Sequence, residues 1–423
     1  MTKNKYDIII AGGGTAGCAC AYTAGKLGLN VLLVEKNSFL GGSITSSLVV
    51  PAMKTAENAI NTDFFNTLYS ELEAIGGAIT YIDGNKGWFN PELVKIVLDK
   101  LMKEANVDVI FESSVQNPEK ILSGYNATIC NNNSCFSTSR LLSHIETKYL
   151  IDATGDAKIC EILNCEKLNS ENEIQPRNLR FILSGVDTKQ FADWIMEYDK
   201  DRNVTTACTI DGNTYLSTAY TWDTGANWAL RPLFEQAIQD GALNVEDSNY
   251  FQLFSVAGTS DSIAFNCPRL LDNNLDATEA YIQGRESVLR IWQFCKRYLK
   301  GFEKSHISSI ANSLGVRVST RIKGKYVYTK NDLIQGKKFE NPVVISNYPI
   351  DIHSSQKDGS TLEKVYQEYQ LPIESLIVDD NLLVIGRCIS ADFESQGALR
   401  IIPSCFSMGE GLAIYLGKQK LSQ

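Results

Sequence analysis

The sequence predicts an α/β fold: a Rossmann-like parallel sheet with a β-meander, into which a second domain of mixed α+β structure is inserted. Three observations carry that expectation. Near the N-terminus a glycine-rich turn joins an apolar strand to a helix of small residues. A later apolar run, Tyr149 to Asp152, stops abruptly at Ala153-Thr154-Gly155-Asp156. Towards the C-terminus, strand-like Leu382 to Ile385 passes through Gly386 and on to a helix that Pro403 opens.

Tyr6 to Ala11 is an isoleucine-rich strand, and Thr15 to Leu27 is a helix that Gly28 ends. Between them Gly12, Gly14 and Gly17 match G-x-G-x-x-G. The first glycine permits the turn, the second lets backbone approach a pyrophosphate, and the third lets helix pack on strand. The helix N-terminus offers amides to phosphate oxygens. Val31 to Val34 is the next buried strand, and Glu35 at its end stands where a carboxylate accepts from a ribose hydroxyl. Residues 88–105 read as a helix, with Asn90 as cap, Pro91 in the first turn, and Leu93, Val97, Leu98 and Leu101 on one stripe. Val107 to Phe111 is a strand, and 116–150 alternates short polar and apolar pieces around turns such as the CNNNSC of 130–135. Residues 315–326 alternate as a strand does, with Arg317, Ser319, Arg321, Lys323 and Lys325 on one face. Such a cationic face binds a carboxylate through arginine forks, or guards an exposed sheet edge.

Composition narrows the function. With 423 residues, 44% hydrophobic and 21% charged, the chain is long enough for one large or two modest cores. A net charge of −9 lacks the broad basic surface that nucleic-acid phosphates or anionic lipids require. No apolar stretch reaches bilayer length, and the N-terminal run is too short for a signal peptide, so a cytoplasmic protein is expected. Eleven scattered cysteines suggest reduced thiols. Cys130/Cys135 and Cys160/Cys165 have no neighbouring Cys or His to complete a metal site, and only three histidines exist, so no metal is expected. Cys18 and Cys20, two apart on a helix, point in different directions and read as packing residues.

Beyond Glu35 and Lys36 lies Asn37 to Ser43, with its Gly41-Gly42 pair. A glutamate, a short linker and Gly-Gly resemble FAD-binding proteins of the glutathione reductase superfamily, where this loop runs along the pyrophosphate toward the isoalloxazine. Ala153-Thr154-Gly155-Asp156 is similar to that superfamily's second flavin signature. Gly386-Arg387-Cys388, then Leu399-Arg400-Ile401-Ile402-Pro403 and a last helix, resemble the C-terminal segment of the FAD-dependent oxidoreductase family; residues 315–326 and Tyr348 to His353 look like further elements of it. The likeness covers roughly 5–55, 85–160 and 315–418, whereas 185–310 match no motif.

The resemblance implies FAD, held by Gly12, Gly14, Thr15, Ala16, Gly17, Glu35, Lys36, Gly41, Gly42, Ser43, Val115 (whose backbone pairs with adenine), Ala153, Thr154, Gly155, Asp156, Gly386 and Arg387. It divides the chain into an FAD domain, 1–184 and 376–423, and a substrate domain, 185–375. Many relatives carry Gly-Asp where this chain has Gly386-Arg387; the arginine either places a cation near the flavin or pairs with Asp156 or Glu394. Candidate catalytic residues are His353, as the proton-transfer group, Arg387 or Arg400, stabilising charge with the helix amides, and Arg321, from the carboxylate-binding face; Tyr348, Asp351 and Glu394 are weaker candidates. No second glycine fingerprint lies in 185–375, so a separate nicotinamide domain is not expected. The expected activity is hydride exchange between flavin and a small organic molecule, a carboxylate-bearing one being a candidate. Alternatives are an electron-transfer subunit acting with a redox partner protein and a flavin-fold escort protein; a tRNA-modifying flavoprotein is disfavoured by the acidic balance. A homo-oligomer stays open.

Overall fold

The apolar runs assemble side by side. In the computed structural model, which describes residues 3–131, 142–170, 173–221, 228–272, 275–353 and 360–421, strand Lys5–Ala11 lies parallel to Val31–Val34 on one side and to Leu142–Asp152 on the other. Asp108–Ile110 extends the sheet beyond Val31–Val34. Parallel strands covered on both faces need near-continuous apolar sequence, which Ile8-Ile9-Ile10 and Val31 to Val34 supply, all fully buried. Leu142–Asp152 has two partners along its far edge. Its first half pairs antiparallel with Gly124–Asn131, which pairs with Ser113–Ile121 to complete the expected meander. Its end, Leu150 to Asp152, pairs in parallel with Leu382–Val384, so the C-terminal segment rejoins the first sheet. Residues 132–135 of the CNNNSC turn, including Cys135, lie outside the described residues.

The helices follow their signals closely. Thr15–Lys26 closes through Leu27 and Gly28, the latter at φ +77°. Pro91–Glu104 is capped by the Asn90 side chain, which accepts from the Glu92 and Leu93 amides at 3.0 and 3.4 Å. Its buried face is Val94, Val97, Leu98, Leu101 and Met102, while Leu93 is only half-buried. Ile402–Leu421 packs along Thr15–Lys26, and a Cβ on Gly409 would overlap the Ala16 carbonyl oxygen at 2.1 Å. Among the described residues no helix is long and apolar enough to cross a membrane.

A six-stranded antiparallel sheet forms a second core, ordered Thr205–Ile210, Asn213–Thr221, Tyr250–Ser255, Ile263–Phe265, Phe181–Ser184 and His306–Ile310. Phe181, Phe234, Phe251, Phe265 and Phe294 fill it beneath the helix Ala277–Tyr298. The stretch 185–375 is shared between the two cores: the second sheet ends at Ile310, whereas Tyr328, Leu333, Val344, Ile350 and Tyr369 pack into the first. The strand expected over 315–326 does not form. Gly315 and Ile322 make single bridges to different neighbours, Asn178 and Lys167. Alternation measures only a period; a strand also needs one continuous edge to pair with, and this segment crosses between two.

Candidate active site

At the carboxyl ends of Lys5–Ala11, Leu142–Asp152 and Leu382–Val384 the turns open into a cleft of about 390 Å³, which side chains of the second sheet cover. Gly14, Thr15, Ala16, Gly42, Ser43, Ala153, Thr154, Gly155, Gly386 and Arg387 line it, together with His353 and Arg400. Sequence segments far apart thus meet in one place.

Backbone packing explains the glycines. A Cβ on Gly12, where φ is +110°, would stand 2.5 Å from the Ala153 carbonyl oxygen, and one on Gly17 would overlap the carbonyl of Gly12. Gly14 differs: an added Cβ there would find only the Gly42 Cα, at 3.9 Å, so its backbone fronts open space. Gly41 donates to the Gly13 carbonyl at 2.9 Å, and a Cβ on Gly42 would come within 2.7 Å of the Gly14 Cα. The two glycine loops are therefore stacked backbone on backbone. Gly14 caps the helix Thr15–Lys26 without a side chain, and the first turn carries no acid, which leaves the positive end of the helix facing the cleft. A cradle that any side chain would fill, beside a helix N-terminus, fits a dinucleotide pyrophosphate.

Other expected residues support this cradle from behind or sit elsewhere. Glu35 is buried; one carboxylate oxygen accepts from the Gly13 amide at 2.7 Å and the other from the Asn37 amide and side chain at 2.8 and 2.7 Å. Burial pushes its pKa up, against those donors. Lys36 is exposed, and Val115 is buried in the meander, paired with Ile129. Asp156 accepts from Arg387 at 2.5 Å; burial alone would raise its pKa, but the guanidinium holds it below the usual range. That ion pair is one of the two arrangements expected for Arg387. Asp152, which the motif reading passed over, anchors the turn: it accepts from Thr154 and from the Ile159 and Cys160 amides at 2.7 to 3.1 Å. Cys18 and Cys20 are fully buried in the first core.

Arg321 requires a correction. It is not among the cleft residues but buried in an ion pair with Glu173, donating also to the Ala391 carbonyl at 3.0 Å. Without a strand, the 315–326 side chains do not share a face, so Arg317 and Arg321 part company. Arg317 lines the cleft, is buried, and donates to the Pro176 carbonyl at 2.8 Å.

His353 is also placed differently from a proton shuttle. Its Nδ1 lies 2.7 Å from an Arg269 nitrogen, which can only donate, and its Nε2 lies 3.3 Å from Asp351 Oδ1. A neutral ring with the proton on Nε2 satisfies both neighbours. Burial, then the nearby Arg317, push its pKa down to about 3. Arg400 donates to the Asp351 carbonyl and carboxylate at 2.9 and 3.1 Å. Arg180 lines the cleft from the edge of the second sheet, and the Arg269 guanidinium stacks over Tyr250 at 4.2 Å. Burial, with repulsion from Arg400, brings Arg180 down to about 10; burial, with repulsion from Arg180 and Arg400, brings Arg317 down to about 9. Arg180, Arg269 and Tyr250 were missed in the sequence because no periodicity or motif marks them; the one signal was an arginine heading the apolar Phe181–Ser184.

A family model described as FAD dependent oxidoreductase matches residues 7–417. The digeranylgeranylglycerophospholipid reductase of Methanococcus vannielii is 22% identical over 180 residues, 41% of this chain and 44% of that protein. The mitochondrial glycerol-3-phosphate dehydrogenase of Saccharomyces cerevisiae is 46% identical over 44 residues, 10% of this chain and 7% of that protein. The chain thus spans less than half the length of these curated relatives. Among solved structures the halogenase PltM shares the fold, with a TM-score of 0.50 at 10% identity over 99% of this chain and 70% of that one. The wider glutathione reductase label is coarser than the family matched. The chain belongs to the FAD-dependent oxidoreductase family and uses FAD as its cofactor.

Proposed function

We propose that the protein exchanges a hydride between FAD and a small carboxylate-bearing substrate, with the sheet of residues 181–310 serving as the substrate domain. The observation that carries this reading is the gathering of Arg180, Arg317 and Arg400 in the covered part of the cleft, with Asp351 as the single carboxylate among the described residues lining it. FAD, when bound, supplies the two-electron chemistry. Binding, orientation and proton handling fall to the chain. Buried guanidinia hold a carboxylate by charge-assisted hydrogen bonds, which strengthen where water is excluded. Asp351 orients Arg400, and His353 positions Asp351. Tyr348 lines the same cleft; burial, with the charge of Asp351, pushes its phenol pKa up, so it stays protonated at neutral pH. In substrate reduction Tyr348 donates the proton that accompanies the hydride, and in oxidation it takes that proton back. A volume that a drug-sized ligand would fill must also admit the flavin, which supports a small substrate.

The test follows the flavin absorbance of the holoprotein under anaerobic conditions, during addition of carboxylic acids and their methyl esters. Reduced holoprotein is challenged likewise with unsaturated acids and esters. A redox change with an acid and none with its ester is expected. Equal response to both removes the carboxylate from the reading. A flavin that responds to no small molecule but exchanges electrons with a protein partner would favour the electron-transfer alternative instead.

A further inference from the structure

We infer that the substrate carries two separate anionic groups, as a short dicarboxylate does. This inference rests on the proposed function and sharpens its substrate class. Three arginines meet in the cleft from three separate segments: Arg180 just before Phe181–Ser184, Arg317 in the crossing segment, and Arg400 at the end of the helix Phe393–Leu399. Arg317 feels the charges of Arg180 and Arg400, so the three act as one cluster. Against them stands Asp351, with His353 neutral and Arg387 already paired to Asp156. Among the described residues lining the cleft, Arg180, Arg317 and Arg400 set against Asp351 leave an excess of two positive charges. Like charges in a low-dielectric site repel strongly, and the cost falls only when anions enter. One carboxylate would leave one guanidinium uncompensated, whereas a dicarboxylate leaves none.

The guanidinia are also held by different elements. Arg400 is held at Asp351 by two hydrogen bonds, while Arg180 lies over Gly315, where a Cβ would stand 2.6 Å from its Nη1. Gly315 thus lets its backbone pack closely against the side chains of Arg180 and Asn178. Donors approaching from separate elements suit two planar carboxylates better than one compact trianionic or dianionic centre.

Calorimetry on the oxidised holoprotein tests this, with succinate, glutarate and adipate, the monomethyl ester of each, and inorganic phosphate as probes. At least one diacid is expected to bind roughly tenfold or more tightly than its own monoester, as a further charge-assisted contact implies. In Arg180→Gln, with its flavin spectrum retained, that preference should shrink to about threefold or less. If every diacid matches its monoester while the monoesters still bind, the dicarboxylate inference falls and the carboxylate reading stands. Phosphate binding more tightly than any diacid would place both charges on one group and equally overturn the inference. If neither acids nor diacids bind, both readings fall together.

Discussion

On the proposed function, Tyr348 takes the proton-transfer part that residue type alone suggests for His353. Histidine is the usual proton carrier near neutral pH, but that requires a pKa near 7 and a ring nitrogen facing the substrate. Here Arg269 and Asp351 take the two nitrogens of His353, and burial among arginines keeps the ring neutral. The phenol of Tyr348 is shifted the other way and lines the cleft. Tyr348→Phe should therefore lower the rate of flavin reoxidation by an unsaturated acid roughly 100-fold or more, the lower end of what general acids contribute. Binding of the acid, measured by calorimetry, should change little. A variant that turns over at the wild-type rate would place the proton donor elsewhere. At this scale the sequence was half legible: Gly14, Thr154 and Gly386 could be read from motifs, whereas the chemistry of His353 depended on neighbours 84 positions away, such as Arg269.

Among the elements, the contact between the helices Thr15–Lys26 and Ile402–Leu421 sets the shape of the cofactor cradle. Gly409 lets the second helix lie directly on the Ala16 carbonyl, and a Cβ there would also come within 2.9 Å of the Cys20 amide nitrogen. Both obstacles are backbone, so neither can swing aside. Gly409→Ala should destabilise the protein by about 1–3 kcal/mol, the usual cost of overpacking, as read from urea unfolding. Because Thr15 and Ala16 line the cleft, the same variant should bind FAD more weakly when apoprotein is titrated with the cofactor. Unchanged stability and unchanged FAD affinity together would show that the helices have room to separate. Elements with strong local signals were legible: the glycine turn, the helix capped by Asn90, and the strand Leu382–Val384 all lie within a residue or two of expectation. The helix Phe393–Leu399 was not foreseen, and the strand over 315–326 was foreseen but is absent. Short segments like these carry too few residues for periodicity to outweigh their tertiary surroundings.

Across the molecule, two cores press a charged cluster between them, and this couples stability to pH. The unfolded chain protonates His353 below about pH 6.5, while the folded protein resists protonation until about pH 3. The unfolded state therefore binds more protons across that window, and stability falls as pH drops through it. Asp351 acts in the same sense: burial alone would raise its pKa, yet His353 and Arg400 hold it well below the usual carboxylate range. Its contribution is present above pH 3.8 and is lost as the pH falls further. His353→Gln removes the histidine's share. The stability difference between wild type and this variant should therefore widen in favour of the wild type from pH 4 to pH 7, by up to a few kcal/mol at roughly 1.4 kcal/mol per pH unit. Urea midpoints across that range measure it, and a difference that stays flat would mean His353 is not held neutral.

By itself the sequence determined the α/β class, the glycine loops, the Ala153-Thr154-Gly155-Asp156 turn and FAD, because each is a local pattern in which backbone geometry demands particular residues at fixed spacing. Only the tertiary structure decided which arginines face the cleft, that Arg321 turns away to Glu173, and that Asp351 is the one carboxylate among the described residues lining it. Arg180, Arg269, Arg317 and Arg400 come from four segments with no common period. Their convergence is a property of how two sheets pack, and electrostatic environment depends on distance in space, which spacing along the chain does not encode.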